Sequence, residues 1–581
     1  MTDKENAMNI STAGRTVQLL KRICDTKNAT QAFLPPTGEK ISLPLRAAQQ
    51  PLPRVTPESQ GISSDHVRHF LEELGSGGDL YMQNVLILRN GKLLCAAAYG
   101  AQMVDAPKYT FSACKSVTSL AIGLLIDDGM LHLDDTLGEL FPDLLSPVTS
   151  RRLREVTVED LLTMRSGIQF SEPQSATESQ WLRAIFSDTP SDEPGTMFHY
   201  NSLNSYMLSV IVRRVSGESL SSFLQRRLFD PMGITDTLWE RSSEGIEKGG
   251  WGLYIRAEDM AKLGQLVMNG GSWHGKELIS RSYLTAATTA HVTPPEQLGD
   301  FDYGYHIWVG RTENTFLFNG MLGQNILGYR DSGILIAANA GADTDYQEGR
   351  FFEIVSRYFG GTFPDTLPND AAALERLRTC VRDLSYYNRA IEAPDERAAL
   401  FLHRNFIADD PHAPSTGLLP VLLQIVHNNY TAGLHSLALS QRGIYPELIY
   451  READAVYRLP IGLGRPFISE LSFHGDIFRV AAHGRFTHDE EERLVFYIRL
   501  DFLETPSVRI LKLVLTENGL LLKQTETPGV PYFCQKLLTA AQLPLFRPVL
   551  LLAVGGSEEE YLRYKAQRIL SPDLRMRSDY N

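Results

Sequence analysis

The chain has 581 residues, of which 43% are hydrophobic and 22% are charged, as in ordinary soluble globular proteins. This length predicts two or more domains, because a single hydrophobic core rarely grows beyond roughly 250–300 residues. The 56 basic and 69 acidic residues give a net charge of −13, which argues against nucleic acid or an anionic membrane as the main partner.

The N-terminal residues predict neither a secretory leader nor a membrane span. Met1–Asn6 is charged, and no apolar core of about 7–15 residues follows it. Nowhere is an apolar run long enough to cross a bilayer. The five cysteines lack the spacing of metal ligands; they are Cys24, Cys95, Cys114, Cys380 and Cys534. We therefore expect a cytoplasmic protein with free thiols and no metal site.

The first elements predicted along the chain are an extended arm, a hairpin and a helix. Several prolines prevent long regular elements in residues 1–54, which we expect to form an N-terminal arm. Val85–Arg89 and Lys92–Ala96 flank Asn90-Gly91, the strongest short turn signal for a β-hairpin. Ser112–Asp128 follows as an apolar helix that stops before a glycine.

Helices dominate the middle of the region from 55 to 361, and strands return after it. The predicted helices include Ser205–Val215 and Ala257–Met268, with a helix start at Thr157 marked by a capping box. The predicted strands are Tyr303–Val309, Thr315–Phe318, Asn325–Tyr329 and Ile334–Ala338. A last helix, Phe351–Phe359, closes this region. The order predicts an α+β fold in which one antiparallel sheet is covered by helices.

A second region of different character follows. Residues 362–390 are predicted to be a linker that contains the helix Asp370–Leu384. Residues 391–581 are predicted to form a β-rich domain, a small sandwich or barrel, because strand-like alternation recurs at Leu494–Phe502, Val508–Leu515 and Leu520–Gln524. His483 and His488 lie near an acidic stretch and are expected in a solvated turn rather than a metal site. The sequence assigns this domain no role.

Ser112 and Lys115 form the one S-x-x-K pattern in the chain. If Ser112 opens the helix, Lys115 lies about one turn later on the same face. An amine within hydrogen-bond reach of a hydroxyl is an arrangement that activates a serine nucleophile. The alternative for these two residues alone is a helix N-cap serine followed by a surface lysine.

Ordered matches around this pattern make residues of roughly 55–361 resemble a known family. The family is the serine hydrolases related to class C β-lactamases and penicillin-binding DD-peptidases. The segments that carry the resemblance are Phe111–Ser119, Ile126–Asp135, Val158–Gly167, Gly252–Tyr254 and Ala257–Gly264. Several matches in order are harder to obtain by chance than S-x-x-K alone. The resemblance implies a β-lactamase/DD-peptidase-like fold with Ser112 as the nucleophile.

The family's second motif is a tyrosine two residues before an asparagine or serine. It falls on Tyr200, followed by Asn201 and Ser202, and the resemblance makes Tyr200 the partner of Lys115 and places Ser202 at the substrate site. An ordinary tyrosine, with a pKa of about 10, is a poor base at neutral pH. Whether Tyr200 or Lys115 accepts the serine proton stays open. A packed aromatic is the alternative for Tyr200, with Tyr206 and His199 as less suitable competitors.

The third motif departs from the family. Many β-lactamases and DD-peptidases have Lys-Thr-Gly on the strand beside the site, whereas here the run is Phe318-Asn319-Gly320, followed by Met321. Glycine lets the substrate backbone approach the strand closely. Phe318 and Asn319 offer no cation to a substrate carboxylate, which favours an uncharged ester or amide. The resemblance assigns the oxyanion hole to the backbone N–H groups of Ser112 and Met321.

The sequence therefore predicts a serine hydrolase acting on a small-molecule ester or amide through a Ser112 acyl-enzyme, with no cofactor. A β-lactamase, a D-amino-acid peptidase or an acyltransferase of the same fold is one alternative. A non-catalytic binding or sensing protein on a hydrolase fold is the other. The oligomeric state and the natural substrate are not indicated.

Overall fold

A computed structural model describes residues 40–175, 178–342, 349–394, 396–409, 417–453, 455–541 and 558–579. They divide into two compact units: one contains residues 43–384, and the other contains residues from 385 onwards together with 40–42. The division falls after Leu384, within the stretch predicted as a linker. Most of the predicted N-terminal arm, residues 1–39, lies outside the described residues.

Strands of the first unit build one large sheet and two small ones. They are β1 Met82–Arg89, β2 Lys92–Ala98, β3 Lys108–Tyr109, β4 Leu238–Trp239, β5 Leu253–Ile255, β6 Ser272–Trp273, β7 Lys276–Glu277, β8 Phe301–Tyr303, β9 Trp308–Gly310, β10 Thr315–Gly320, β11 Gln324–Tyr329 and β12 Ile334–Ala340. The large sheet is antiparallel with the order β2-β1-β12-β11-β10-β9-β8.

Helices of the first unit lie on both faces of this sheet. They are α1 Ser64–Ser76, α2 Cys114–Asp127, α3 Leu137–Leu140, α4 Arg151–Glu155, α5 Val158–Leu162, α6 Glu172–Ser175, α7 Trp181–Phe186, α8 Ser202–Ser216, α9 Leu220–Leu224, α10 Ala257–Met268, α11 Arg281–Ala287, α12 Arg350–Phe359 and α13 Ala371–Leu384. One core joins α2, α8 and α10 to the sheet side chains of Leu86 and Phe316. A second core joins α1, α12 and α13 to Val85 and Leu317 on the opposite face. The predicted α+β fold, an antiparallel sheet covered by helices, is confirmed.

The β1–β2 hairpin forms because its turn residues accept left-handed backbone angles. Asn90 has φ 52° and Gly91 has φ 74°, the pattern that a two-residue hairpin turn requires. The predicted hairpin is confirmed, and both strands extend beyond the predicted limits. The helix predicted over Ala257–Met268 is also confirmed, with the same limits.

The continuous strand predicted over Tyr303–Val309 is wrong. The chain forms β8, then turns at Gly304–Ile307, and resumes as β9. His306 has φ 55°, and its buried ring bonds to Leu162 O and Ser205 Oγ at 2.9 and 2.8 Å. Those two bonds tie the turn to neighbouring helices, which alternation of side chains in the sequence does not reveal.

The second unit is built on one near-closed, mainly antiparallel sheet. Its strands are β13 Arg404–Ala408, β14 Leu434–Arg442, β15 Tyr445–Glu452, β16 Val456–Pro460, β17 Gly462–Leu463, β18 Phe467–Phe473, β19 Asp476–His488, β20 Leu494–Phe502, β21 Val508–Thr516, β22 Gly519–Thr527 and β23 Asp573–Asp579. The main order is β16-β15-β14-β13-β23-β22-β21-β20-β19-β17, with β18 also paired to β19 and β17 parallel to it. Apolar side chains from these strands, such as Phe406, Phe478 and Leu511, share one core. Its helices are α14 Val421–His427, α15 Val530–Ala541 and α16 Glu558–Leu570.

The solvated turn predicted around His483 and His488 is wrong. Both residues lie in β19, and His483 pairs across the ladder with Arg499. The His483 ring is 3.5 Å from Asp501 and packs edge-on against Tyr386. Within the described residues, no group of three or more His, Cys, Asp and Glu side chains could hold a metal ion. In the same part of the chain, no helix is both long and apolar enough to cross a membrane.

Candidate active site

Ser112 lies in a tight turn that the backbone holds under strain. A 3₁₀ turn over Phe111–Ala113 precedes α2, and Phe111 has φ 45°, an angle that a bulky residue rarely adopts. Thr110 N donates to Leu253 O at 2.9 Å, and the ring of Phe111 packs edge-on against Tyr109 at 4.6 Å. The turn is therefore fixed by its neighbours before any substrate binds.

Helix α2 carries Lys115 one turn beyond Ser112 and is almost wholly buried. Val117, Leu120 and Leu124 have no exposed surface and anchor the helix in the first core. This burial explains why Lys115 is itself only 1% exposed, although a lysine rarely occupies such a position without a role or an ion-pair partner.

Three hydrogen bonds hold the Lys115 amine, and all three reach uncharged oxygen atoms. Lys115 Nζ is 2.8 Å from Ser112 Oγ, 2.8 Å from Ser202 Oγ and 2.8 Å from Gly250 O. An ammonium group would donate to all three. A neutral amine would donate to Ser202 and Gly250 and direct its lone pair at the Ser112 hydroxyl. The geometry thus accommodates both protonation states.

Burial makes the neutral state of Lys115 accessible near physiological pH. Removal from water lowers the pKa of Lys115 to about 8, and the negative charge of Glu172 opposes part of that effect. At pH 7 a group with this pKa is neutral in about a tenth of the molecules.

Tyr200 lies beside the same two residues. Its side chain interacts with that of Ser112, and its ring centroid is 5.0 Å from Lys115 Nζ. The ring stacks on Trp308 with centroids 5.9 Å apart. Burial raises the pKa of Tyr200 well above its usual value, so the hydroxyl stays protonated.

The competitors of Tyr200 lie elsewhere. Tyr206 is buried within α8 and bonds to Ser242 and Glu244, while His199 pairs with Asp192 at 2.8 Å on the surface.

Asn201 and Ser202 start α8 and connect it to the preceding loop. The Asn201 side chain caps the helix by accepting from Leu203 N at 2.9 Å. Its amide nitrogen donates to Ile168 O and Phe170 O, both at 2.9 Å. Ser202 N donates to Glu172 Oε1 at 2.9 Å. These hydrogen bonds therefore fix the start of α8 to residues 168–172.

The end of β10 approaches the nucleophile turn through Gly320. A β-carbon at Gly320 would lie 2.2 Å from Thr110 O and 3.2 Å from Ala113 N, so only glycine fits. The Asn319 amide donates to Asn325 Oδ1 at 2.8 Å. Next in the chain come Met321, which is partly exposed, and Leu322 with φ 66°.

Phe318 does not face the ligand side of its strand. Its side chain is fully buried in the first core, with its ring centroid 5.7 Å from that of Phe316. Side chains alternate along a strand, so Phe316 and Phe318 share the core face. The Phe318 side chain is therefore part of the core, and its role as a substrate-binding side chain stays a prediction.

Comparison with known proteins identifies the first unit. The sequence model of the Beta-lactamase family matches residues 65–351. The chain carries a beta-lactamase family domain. This fold family consists of hydrolases.

The beta-lactamase family domain resembles characterised proteins over part of their length. Protein flp of Staphylococcus aureus (strain COL) is 27% identical over 205 residues, which are 33% of this chain and 40% of that protein. Lovastatin esterase of Penicillium rubens is 30% identical over 196 residues, or 29% of this chain and 48% of that protein. The chain thus spans less than half the length of these two curated relatives. A solved D-stereospecific amidohydrolase from Streptomyces sp. is 16% identical with a TM-score of 0.42, covering 52% of this chain and 99% of that one.

Sequence reasoning missed two groups in the beta-lactamase family domain that contact the predicted site. Gly250 O accepts from Lys115 although 135 residues separate them, and the Gly249-Gly250 pair was the available signal. Glu172, the first residue of the short helix α6, bonds to Ser202 from a segment that carries no recognisable motif.

Proposed function

We propose that the beta-lactamase family domain is a serine hydrolase that cleaves an uncharged ester or amide through an acyl-enzyme on Ser112. The observation that carries the proposal is the 2.8 Å distance between Lys115 Nζ and Ser112 Oγ, made by an amine whose pKa burial lowers to about 8. A lysine desolvated in this way is a suitable general base near neutral pH.

Lys115, rather than Tyr200, accepts the proton of Ser112 in this mechanism. The raised pKa of Tyr200 keeps its hydroxyl protonated, so it can donate a hydrogen bond but is a poor base. Ser112 Oγ attacks the substrate carbonyl as its proton passes to Lys115 Nζ. The tetrahedral oxyanion is stabilised by the backbone N–H groups of Ser112 and Met321.

Breakdown of the tetrahedral intermediate requires a proton on the leaving group. Lys115, now an ammonium, returns the proton through the hydroxyl of Tyr200, whose ring lies beside Lys115 and whose side chain interacts with that of Ser112. The leaving alcohol or amine departs, and Ser112 remains acylated. Water then attacks the acyl-enzyme as Lys115 takes its proton, and Lys115 passes this proton to Ser112 Oγ when the carboxylic acid product leaves.

An uncharged substrate is supported by the residues at the end of β10. Where carboxylate-binding relatives have lysine and threonine, this chain has a core phenylalanine, Phe318, and an amide, Asn319, that is bonded to Asn325. Neither supplies the charge-assisted hydrogen bond that a buried carboxylate needs.

A substrate panel tests the proposal. Neutral p-nitrophenyl esters, D-Ala amides and the anionic β-lactam nitrocefin are compared in the wild type and in Ser112→Ala, with added alcohols as acyl acceptors. We expect Ser112-dependent hydrolysis of the neutral esters, with nitrocefin turned over at least about 100-fold more slowly relative to them, as expected for an unpaired buried charge. Equal efficiency on nitrocefin would make the chain a β-lactamase, and failure of a fluorophosphonate to label Ser112 would favour a non-catalytic role.

A further inference from the structure

We propose that Glu172 is a positioning residue of this site: it holds Ser202 against Lys115, and its charge sets the pH at which Lys115 becomes able to accept a proton. The inference rests on the proposed role of Lys115 as the general base. It adds a residue that none of the three sequence motifs contains.

Two hydrogen bonds in series connect the carboxylate to the amine. Ser202 N donates to Glu172 Oε1 at 2.9 Å, and Ser202 Oγ is the 2.8 Å partner of Lys115 Nζ. Ser202 is the first residue of α8, so the bond from Glu172 fixes the start of that helix. The two bonds from Asn201 to the loop at 168–170 hold Glu172 in register. Movement of Glu172 would therefore be transmitted to the Ser202 hydroxyl.

Several titratable side chains surround Lys115 in the described residues. Among them, Glu172 carries a charge, and the others are neutral. Burial raises the pKa of the Cys114 thiol to about 12 and that of Tyr200 further above its usual value, so both are neutral. On the turn before β9, burial lowers the pKa of His306 to about 3, and this ring is neutral as well. The Glu172 carboxylate has the largest effect among the charges that favour the ammonium form of Lys115.

The sign of the expected effect follows from this arrangement. A nearby negative charge stabilises the protonated amine and raises its pKa, whereas burial lowers it. Loss of the charge leaves burial unopposed, so the Lys115 pKa falls. Because catalysis requires the neutral amine, the acidic limb of the rate profile would move to lower pH.

Glu172→Gln separates the charge from the hydrogen bond. Glutamine keeps an oxygen that can accept from Ser202 N but carries no charge. We expect the acidic limb of kcat/KM for a neutral ester to move down by at least about half a pH unit, with the plateau rate within about threefold of wild type. Glu155→Gln, which removes an exposed carboxylate on α4, is the matched control and should leave the profile unchanged.

Glu172→Ala removes both the charge and the acceptor. We expect the same downward shift together with a fall of about tenfold or more in the plateau rate, because Ser202 loses its anchor. A superimposable profile for Glu172→Gln would overturn the proposal, as would a plateau loss in both variants without any shift, which is the signature of a purely structural residue.

A direct titration keeps this result distinct from failure of the hydrolase proposal. The Lys115 pKa is measured by NMR on protein labelled at the lysine ε-carbon, with the resonance assigned by Lys115→Met, and no substrate is needed. A lower pKa in Glu172→Gln than in wild type supports the inference even if no substrate has been found. An unchanged pKa overturns it even if Ser112 proves to be the nucleophile.

Discussion

The ion pairs of the β-rich unit and the surroundings of Lys115 in the first unit are two different arrangements of buried charge. In the β-rich unit two buried carboxylates are paired: Glu526 with Arg509 at 2.6 Å, and Asp501 with Arg499 at 2.9 Å. The first unit also pairs Lys262 with Asp259 at 2.7 Å. Lys115 differs from all of these, because its three hydrogen bonds end on uncharged oxygens.

The ion pairs stabilise the fold, whereas we propose that the amine of Lys115 takes part in proton transfer. A buried ion pair serves the fold, because removal of one partner leaves the other as an uncompensated buried charge. An amine buried among neutral acceptors has a lowered pKa and is poised to exchange a proton. Within a single chain, the ion pairs thus represent charges that stabilise the fold, whereas the unpaired amine of Lys115 is suited to proton exchange.

Lys115→Met has the largest effect that we expect from this comparison. We expect a loss of about a thousandfold or more in ester hydrolysis, because the base is gone, with no loss of thermal stability, because a buried unpaired amine is replaced by an apolar side chain. Lys262→Met should do the opposite, lowering stability by about 3 kcal/mol while folded molecules keep their rate. Rates per folded molecule and denaturant unfolding check both variants. Equal effects of the two on rate would remove the distinction.

Arg509→Met tests the paired side of the comparison. It leaves the Glu526 carboxylate buried without its cation, and we expect the free energy of unfolding of the β-rich unit to fall by about 3–5 kcal/mol. The bonds from Arg509 to Leu418 O and Leu419 O are lost as well. Lys512→Met, on the exposed side of the same strand, is the control. If both variants unfolded at the same urea concentration, the pair would not matter to the fold.

Gly320→Ala probes the close approach of β10 to the nucleophile turn. The added β-carbon would lie 2.2 Å from Thr110 O, so the strand must move away from Ser112. We expect a rate loss of about 100-fold, the size that follows from a misplaced oxyanion donor. Gly78→Ala places its β-carbon where nothing lies within 4 Å and serves as the control. A wild-type rate in Gly320→Ala would show that this strand does not shape the site.

The smallest expected effect is the pH dependence of the wild type. In the proposed mechanism the neutral form of Lys115 is the base, and burial lowers its pKa to about 8, so the rate of acylation should rise with pH between about 7 and 9 and then level off. The rate of acylation is measured from the pre-steady-state phase of ester hydrolysis at each pH. A rate that is flat across this window, or that falls, would mean that the amine does not act as the base.

Much of the fold and the site could be predicted from local sequence. The Asn90-Gly91 turn and the periodicity of Ala257–Met268 identify their elements because the determinants are neighbours in the chain. The contact between Ser112 and Lys115 could be predicted for the same reason, because the two residues are about one helical turn apart.

What the sequence could not show depends on distant contacts. His306 breaks the predicted strand through bonds to Leu162 and Ser205, which are 144 and 101 residues away. Glu172 lies 30 residues from Ser202, at the start of the short helix α6, in a segment whose sequence shows no periodicity or motif. Phe318 is the exception. Side chains alternate along a strand, so the face that Phe318 shares with Phe316 could have been predicted from the sequence.

Acylation of Ser112 is the central claim, and intact-mass analysis tests it most directly. The protein is mixed with a slowly deacylating p-nitrophenyl ester, quenched in acid, weighed and digested. The account predicts an increase by the mass of one acyl group, located on the peptide that contains Ser112 and absent from Ser112→Ala. Turnover of the ester by Ser112→Ala at the wild-type rate, or an acyl group on another residue, would contradict it.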